Sequence, residues 1–312
     1  MRDDGGSRPK EGASRLFILK RVGVTGLDGF TGRYVARELV GRGFEPISVK
    51  SDLRDQGALV SEIKAKHFDA CIHLAGIALT NSASWRAVYD VNLIGSNNLF
   101  ETLSILRPGI RCIVASSAQV YGNQPSGLIG ENAPCLPQNP YAVSKYALEK
   151  STKIWSNLLD IQIVRPFNYT GVGQDERYLV PKIIKHFVKR FESIELGNVG
   201  VWRDFGDVRS VAEAYCDLLQ PAQQHYDGPV NLATGEVWSI GEIVDVLTKL
   251  TGHCLDVKVN PHFVRADEVE TLGGSVEKLR HLCPTWSPNL FEETLRWMFE
   301  TAAAVDSKED RE

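Results

Sequence analysis

The chain has 312 residues, 43% of them hydrophobic and 24% charged, and carries a net charge of −4. That is enough apolar material for a sizeable core, arranged as one large domain or two smaller ones. The mild negative balance argues against a protein whose main task is to coat nucleic acid or an anionic membrane, and no apolar run approaches the ~18 residues of a membrane span.

The opening stretch MRDDGGSRPKEGASR is polar and Gly-rich with no apolar signal core, so residues 1–15, like an acidic tail at 304–312, are expected to be disordered. From Leu16 short apolar runs alternate with amphipathic stretches of helical length. LKRVGVTG reads as a first strand and TGRYVARELVGRG as a helix stopped by Gly41 and Gly43. PISVK is a second strand, ALVSEIKAKH a helix and DACIHLAG a third strand. Ser84 to about Leu106 is a long helical region, RCIVASSA a fourth strand, Tyr141 to about Leu159 a helix and IQIVRPFN a fifth strand. Continuous apolar strands alternating with helices predict a parallel sheet covered on both faces, an α/β Rossmann-type doubly wound domain over residues 16–168. After Asn168 the rhythm breaks into loops rich in Gly, Asn and charge, with helical patches at Pro181–Phe191, Val211–Leu219 and Ile240–Leu250. Residues 169–303 are expected to form mainly a smaller α/β substrate-binding lobe, with a strand near 229–233 returning to the main sheet.

Six cysteines (Cys71, Cys112, Cys135, Cys216, Cys254, Cys283) show no CxxC spacing, and four sit in apolar runs. They read as reduced thiols, with neither a disulfide framework nor a structural zinc. His73, His186 and the other histidines show no metal spacing and read as core or surface residues, so no metal is expected. A cytoplasmic location is the default.

VTGLDGFTGRYV, Val24 to Val35, places Gly26, Gly29 and Gly32 three apart between the first strand and its helix. A dinucleotide needs such a turn. One glycine supplies positive φ, another lets the backbone approach the pyrophosphate, and a third packs helix on strand. The helix N-terminus then offers free N–H groups to the phosphates.

Together with an ordered set of later motifs, this loop resembles the extended short-chain dehydrogenase/reductase family. TGLDGFTG looks like its cofactor loop, SDLRD like the segment that reaches the adenine and HLAG like the strand end beside the cofactor. VNLIG, with Asn92, looks like the family's structural Asn segment; SSAQVYG and YAVSK look like its catalytic stretch. The resemblance implies cofactor contacts at Thr25, Gly26, Gly29, Phe30, Thr31, Gly32, Asp52, Leu53, Leu74, Ala75, Gly76, Asn92, Pro166 and Phe167. NAD-specific relatives usually carry an acidic residue just after the second strand. Here Lys50–Ser51 stands there, which leans the reading toward NADP(H), with NAD(H) open.

Tyr141 and Lys145 are four apart and so share a helix face. An ammonium near a phenol favours the phenolate, which would make Tyr141 a proton carrier near neutrality. The resemblance makes Ser117 the partner of the reacting oxygen, with Ser116 the nearby alternative, and gives Lys145 the nicotinamide ribose. The implied chemistry is hydride transfer to or from a substrate carbonyl carbon. Sugar-nucleotide 4,6-dehydratases of this type carry acidic groups after the catalytic Ser/Thr. Here those places are Ala118 and Gln119, neither of which can act as acid or base.

In the later half, GNVGVWRDFGDVRSVAEAY and VRADEVETLGGSVEKL resemble the GDP-sugar branch of the family, its 4,6-dehydratases and, more closely, its 4-keto-6-deoxy-mannose reductases. Arginine forks suit a diphosphate and a carboxylate suits a ribose diol. Arg203 and Arg265 are therefore candidates for the diphosphate, Glu268 for the ribose, and Asn168, Gln119 and Lys182 for further substrate contacts. Ala266, Ser275 and Ser210 depart from that branch's pattern of Pro, Asp and an acidic residue. The expected substrate is a nucleotide sugar, GDP favoured, and the expected reaction is reduction of a C4 ketone with Tyr141 as general acid; a 4-epimerase is the alternative. Relatives commonly pair through the helices after the third and fourth strands, so a homodimer is expected by analogy.

Overall fold

The computed structural model describes residues 20–78, 84–125, 127–220, 228–263 and 270–309. In chain order the elements are β1 (Arg21–Thr25), α1 (Phe30–Gly41), β2 (Glu45–Val49), α2 (Gln56–Ala65), β3 (Ala70–His73), α3 (Trp85–Tyr89), α4 (Ser96–Leu106) and β4 (Arg111–Ala115). They continue with β5 (Gly127–Ile129), α5 (Pro140–Trp155), β6 (Asp160–Pro166), β7 (Asn168–Thr170), α6 (Leu179–Val188), β8 (Ser193–Leu196), β9 (Trp202–Arg203), β10 (Phe205–Asp207) and α7 (Val208–Asp217). The last are β11 (Val230–Leu232), β12 (Trp238–Ser239), α8 (Ile240–Thr251), β13 (Asp256–Val259), β14 (Thr271–Gly274), α9 (Glu277–Leu282) and α10 (Phe291–Glu309).

The main sheet has the order β2-β1-β3-β4-β6-β11, all parallel. The expected fifth and returning strands are β6 and β11, the latter joining through Val230 beside Val164. Both faces are covered, as uninterrupted strands such as ACIH in β3, wholly buried, require. On one face Val35 and Leu39 of α1 pack with Val211 and Tyr215 of α7 over Val22, Val24 and Ile72. On the other, Leu59 and Ile63 of α2, Leu99, Phe100 and Leu103 of α4 and Leu148 of α5 pack over Cys71, Cys112 and Val114. Strand order reverses between β1 and β3, so the carboxyl ends of those strands open the crevice where α/β sheets take ligands.

A separate core, built from Ile183 and Phe187 of α6, Ile243 and Leu247 of α8 and Leu295 and Met298 of α10, supports β8 and β13. Two differences from expectation stand out. The patch at Val211–Leu219 does not belong to the later lobe: α7 packs against α1 in the nucleotide half, because its apolar stripe finds that helix rather than the second core. The acidic tail expected from about Ala304 is helical as far as Glu309, since α10 runs on through Ala302–Ala303–Ala304, strong helix formers, and Asp306 pairs with Lys189. The expected disorder of 1–15 lies outside the described residues.

Candidate active site

The glycine turn answers to its geometry. Gly26 follows β1 with φ +71°, and a Cβ there would meet Ala75 N at 2.9 Å. A Cβ on Gly32 would lie 2.2 Å from Gly26 O and 2.6 Å from Leu27 O. Gly29 caps α1 with no side chain and bonds Gly26 O through its own N–H at 3.1 Å. The first turn of α1 holds no acidic residue. A bare, uncapped helix N-terminus at the switch point fits a pyrophosphate, so this cradle fits a dinucleotide. Thr31 and Phe30, in that first turn, also face β7: Thr31 Oγ1 lies 2.8 Å from Tyr169 Oη, and the Phe30 and Tyr169 rings stack at 6.1 Å.

The floor between β1 and β3 is tied by a polar chain. The Ala75 N–H donates to Thr25 Oγ1 at 3.1 Å, and Thr25 Oγ1 meets His73 Nδ1 at 2.7 Å. His73 Nε2 meets Ser96 Oγ at 2.8 Å, and that hydroxyl donates to Asn92 O. Burial, then the nearby Lys145 charge, pushes His73 down to about 3, so the ring is neutral and structural, as expected of a core histidine. Asn92 clamps the strand exit, accepting from Ile77 N at 2.7 Å and donating to Ile77 O at 3.0 Å. A π-helical turn, Asp90–Gly95, presents it. Beside them a Cβ on Gly76 would lie 3.2 Å from Lys145 Nζ, so Gly76 keeps the backbone next to that ammonium open.

At the end of β2, Lys50 pairs with Asp28 of the glycine loop at 3.1 Å, and Leu53 is buried. The Asp52 carboxylate is taken by Arg54 at 2.6 Å, which lowers it to about 2. Pro166 closes β6, and Phe167 behind it is buried, its N–H on Leu232 O.

The catalytic candidates come from the end of β4 and the start of α5. Asn139 caps α5 by accepting from Ala142 N at 2.9 Å, and Pro140 suits the first helical position. This fixes Tyr141 and Lys145 one turn apart on the helix. Ser117 is buried, its hydroxyl accepting from Gln119 N at 3.2 Å, and Lys145, 4% exposed, donates to Ala115 O at 2.8 Å. The expected acidification of the phenol is not what the structure shows. Burial pushes Tyr141 up to about 12, with Ser117 offsetting part of the rise; the Lys145 ammonium is aimed at Ala115 O instead. Burial also lowers Lys145 to about 8, against a raising pull from Glu149. Near neutrality Tyr141 keeps its proton and Lys145 its charge, one helical turn apart.

Ser116 differs from Ser117. Its hydroxyl donates to Glu149 Oε1 at 2.5 Å, and Glu149 in turn binds Arg165 at 2.8 and 2.6 Å. Ser116 therefore serves a buried ion pair rather than the cleft. Gln119 is exposed, its carbonyl accepting from Asn139, and Ala118 is buried, so no acid or base follows Ser117.

Of the substrate candidates, Asn168 is exposed at the head of β7, in a small pocket with Ser210, Thr234 and Trp286. The Ser210 side chain accepts from Asn289 N and is structural. Arg203 donates to Trp202 O and Glu270 O. Lys182 donates to Glu195 O at 2.9 Å and lies over the Phe263 ring, placed against β8. Arg265, Ala266 and Glu268 lie outside the described residues.

Three residues escaped the sequence reading. Asp204 is fully buried and accepts from Thr234 N and Oγ1, Gly235 N and Gly274 N, so it pins three segments of the later lobe; burial outweighs those donors and raises it to about 6. Glu149 falls one turn past Lys145 on the same helix face, a spacing that could have exposed it. Arg165 stands in an apolar strand, where a cation demands a buried carboxylate.

Residues 45–298 match the family model of GDP-mannose 4,6 dehydratase. The chain belongs to that family of extended short-chain dehydrogenases/reductases. It is an NAD(P)-dependent enzyme of that class. Among relatives, it is 31% identical over 269 residues to a GDP-6-deoxy-D-talose 4-dehydrogenase of Aggregatibacter actinomycetemcomitans, covering 83% of this chain and 90% of that one. It is 28% identical over 296 residues to a GDP-6-deoxy-D-mannose reductase of Pseudomonas aeruginosa, covering 89% and 96%. Among solved structures, a provisionally assigned epimerase of Burkholderia cenocepacia aligns with a TM-score of 0.85 at 37% identity, covering 91% and 98%. The RMD protein of Pseudomonas aeruginosa, complexed with NADPH, aligns with a TM-score of 0.82 at 26% identity, covering 91% and 99%.

Proposed function

We propose that this enzyme reduces the C4 ketone of a nucleotide-activated 4-keto-6-deoxy sugar, with GDP as the favoured nucleotide. The observation that carries the reading is the placing of Tyr141 one helical turn from the buried Lys145, whose ammonium donates to Ala115 O at the strand end that leads into Ser117, with no acid or base at Ala118 or Gln119. Ketone reduction consumes a proton at the new hydroxyl oxygen and nothing else from the protein. A 4,6-dehydratase must also move protons at neighbouring carbons, and the groups for that are missing. The relatives named for redox of GDP-6-deoxyhexoses support the same substrate class.

When bound, the dinucleotide supplies hydride to the carbonyl carbon and leaves oxidised. The glycine turn and the α1 N-terminus would hold its phosphates, and Gly76 and Lys145 would line its path beyond β3, with Asn92 buried behind them as the clamp on Ile77. Ser117 and Tyr141 bind the carbonyl oxygen. Tyr141 gives up its proton as the alcohol forms and regains one from solvent. Asn168, Arg203, Arg265 and Glu268 are assigned to the nucleotide sugar, with Lys182 and Gln119 secondary. Either NADPH or NADH can serve.

Ile94, Ile105 and Ile154 are exposed along the α4 and α5 side, which supports a homodimer through those helices. Six free cysteines suit a reducing cytoplasm. A second reading, 4-epimerisation, is favoured by the epimerase-type neighbour. Supplying GDP-4-keto-6-deoxymannose with NADPH or NADH tests the choice. Consumption of reduced nicotinamide with a 6-deoxyhexose formed supports reduction; interconversion of unoxidised hexoses without net redox supports epimerisation.

A further inference from the structure

The end of β2 carries a selectivity device, an inference that rests on the dinucleotide reading above. Lys50 and Ser51 occupy the place where an acidic residue would take the ribose of NAD. Their backbone N–H groups are already engaged. The Lys50 and Ser51 N–H groups are both bound by the Glu62 carboxylate, at 3.0 and 2.8 Å, and Glu62 is neutralised by Lys66 at 2.5 Å. Asp52 is closed on Arg54. The Lys50 ammonium is paired with Asp28, and both side chains are well exposed, at 64% and 73%. Asp28 comes from the glycine loop, between Gly26 and Gly29, so its carboxylate reaches the end of β2 from the side of the phosphate cradle.

We propose that Asp28 is a cofactor-selectivity residue: it supplies across the cleft the carboxylate that the chain lacks after β2, and with Lys50 it makes the site accept NAD(H) and NADP(H) with comparable affinity. A ribose diol can donate to Asp28 while Lys50 stays paired. A 2′-phosphate gains Lys50, but only by drawing it from Asp28 and standing beside that negative charge. The two effects oppose each other at one ion pair. Because the pair is exposed, each is modest and screened by salt.

Direct titration of NADPH and NADH into the wild type, Asp28→Asn and Lys50→Gln, at low and high salt, tests this through dissociation constants rather than turnover. Asp28→Asn should bind NADPH about fivefold more tightly and NADH a few-fold more weakly, an effect that shrinks at high salt. Lys50→Gln should weaken NADPH by about fivefold to tenfold and leave NADH unweakened. An Asp28→Asn protein with both constants unchanged within about twofold, or a wild type preferring one nucleotide by more than about thirtyfold, overturns the proposal. Absence of binding by every form overturns the dinucleotide reading itself.

Discussion

Glu149 and Arg165 form a two-pronged ion pair inside the protein, at 2.8 and 2.6 Å, with each side chain 5% exposed. The pair joins α5, the helix of Tyr141 and Lys145, to β6, and Ser116, just past β4, adds a third bond to it. It thereby fixes the distance between Ser117, one residue further along, and Tyr141, two turns back on α5.

Removing one member of such a pair leaves an uncompensated buried charge, which costs more than the pair contributes. Glu149→Ala should lower stability by about 3–5 kcal/mol, and Ser116→Ala by about 1–2 kcal/mol. Denaturant titration measures both. Equal, small losses for the two variants would show that the ion pair is not the anchor.

Lys145 holds its charge against burial. Its folded pKa of about 8 lies below the ordinary 10.5. The unfolded chain therefore binds more protons between those values, so stability rises as pH goes from about 8 to 10.5, and the full penalty is present below pH 8. Lys145→Met should raise the melting temperature at pH 7 by a few degrees, out of an upper bound of about 3 kcal/mol, while abolishing turnover. Wild-type turnover should fall above about pH 8 as the ammonium is lost. A flat rate profile from pH 7 to about 10 would remove the cation from the mechanism.

Gly32 has no room for a methyl group, since its Cβ would overlap Gly26 O at 2.2 Å. Gly32→Ala must push the glycine turn outward, at about 1–3 kcal/mol. Dinucleotide affinity should fall at least about tenfold, as the turn no longer fits the phosphates. Retained affinity in a titration would place the phosphates elsewhere.

Much of this arrangement was legible in the residues. Unbroken apolar runs such as ACIH could only be strands covered on both faces, and three spaced glycines after the first of them located the cradle. The spacing of Tyr141 and Lys145 placed both on one helix face. What spacing cannot carry is depth and direction. Lys145 turns to Ala115 O beside a strand end, and the phenol's own burial raises it rather than letting it fall. Periodicity showed that α7 has a buried face but not that α1 covers it. The strands β7, β9, β10 and β12 have two or three residues each, too few for a pattern. Among the described residues Asp204 pairs with backbone and Thr234 donors that are 30 to 70 positions away in sequence, so nothing local announces it.

The central claim is transfer of hydride to a sugar carbonyl with Tyr141 delivering the proton. The most direct test supplies the 4-keto GDP-sugar with nicotinamide nucleotide deuterated at its reactive carbon and locates the label by NMR. The account predicts one deuterium at C4 of the 6-deoxyhexose, with turnover lowered at least about a hundredfold in Tyr141→Phe and nucleotide binding unchanged. Product carrying no deuterium at C4, or undiminished turnover in that variant, would contradict it.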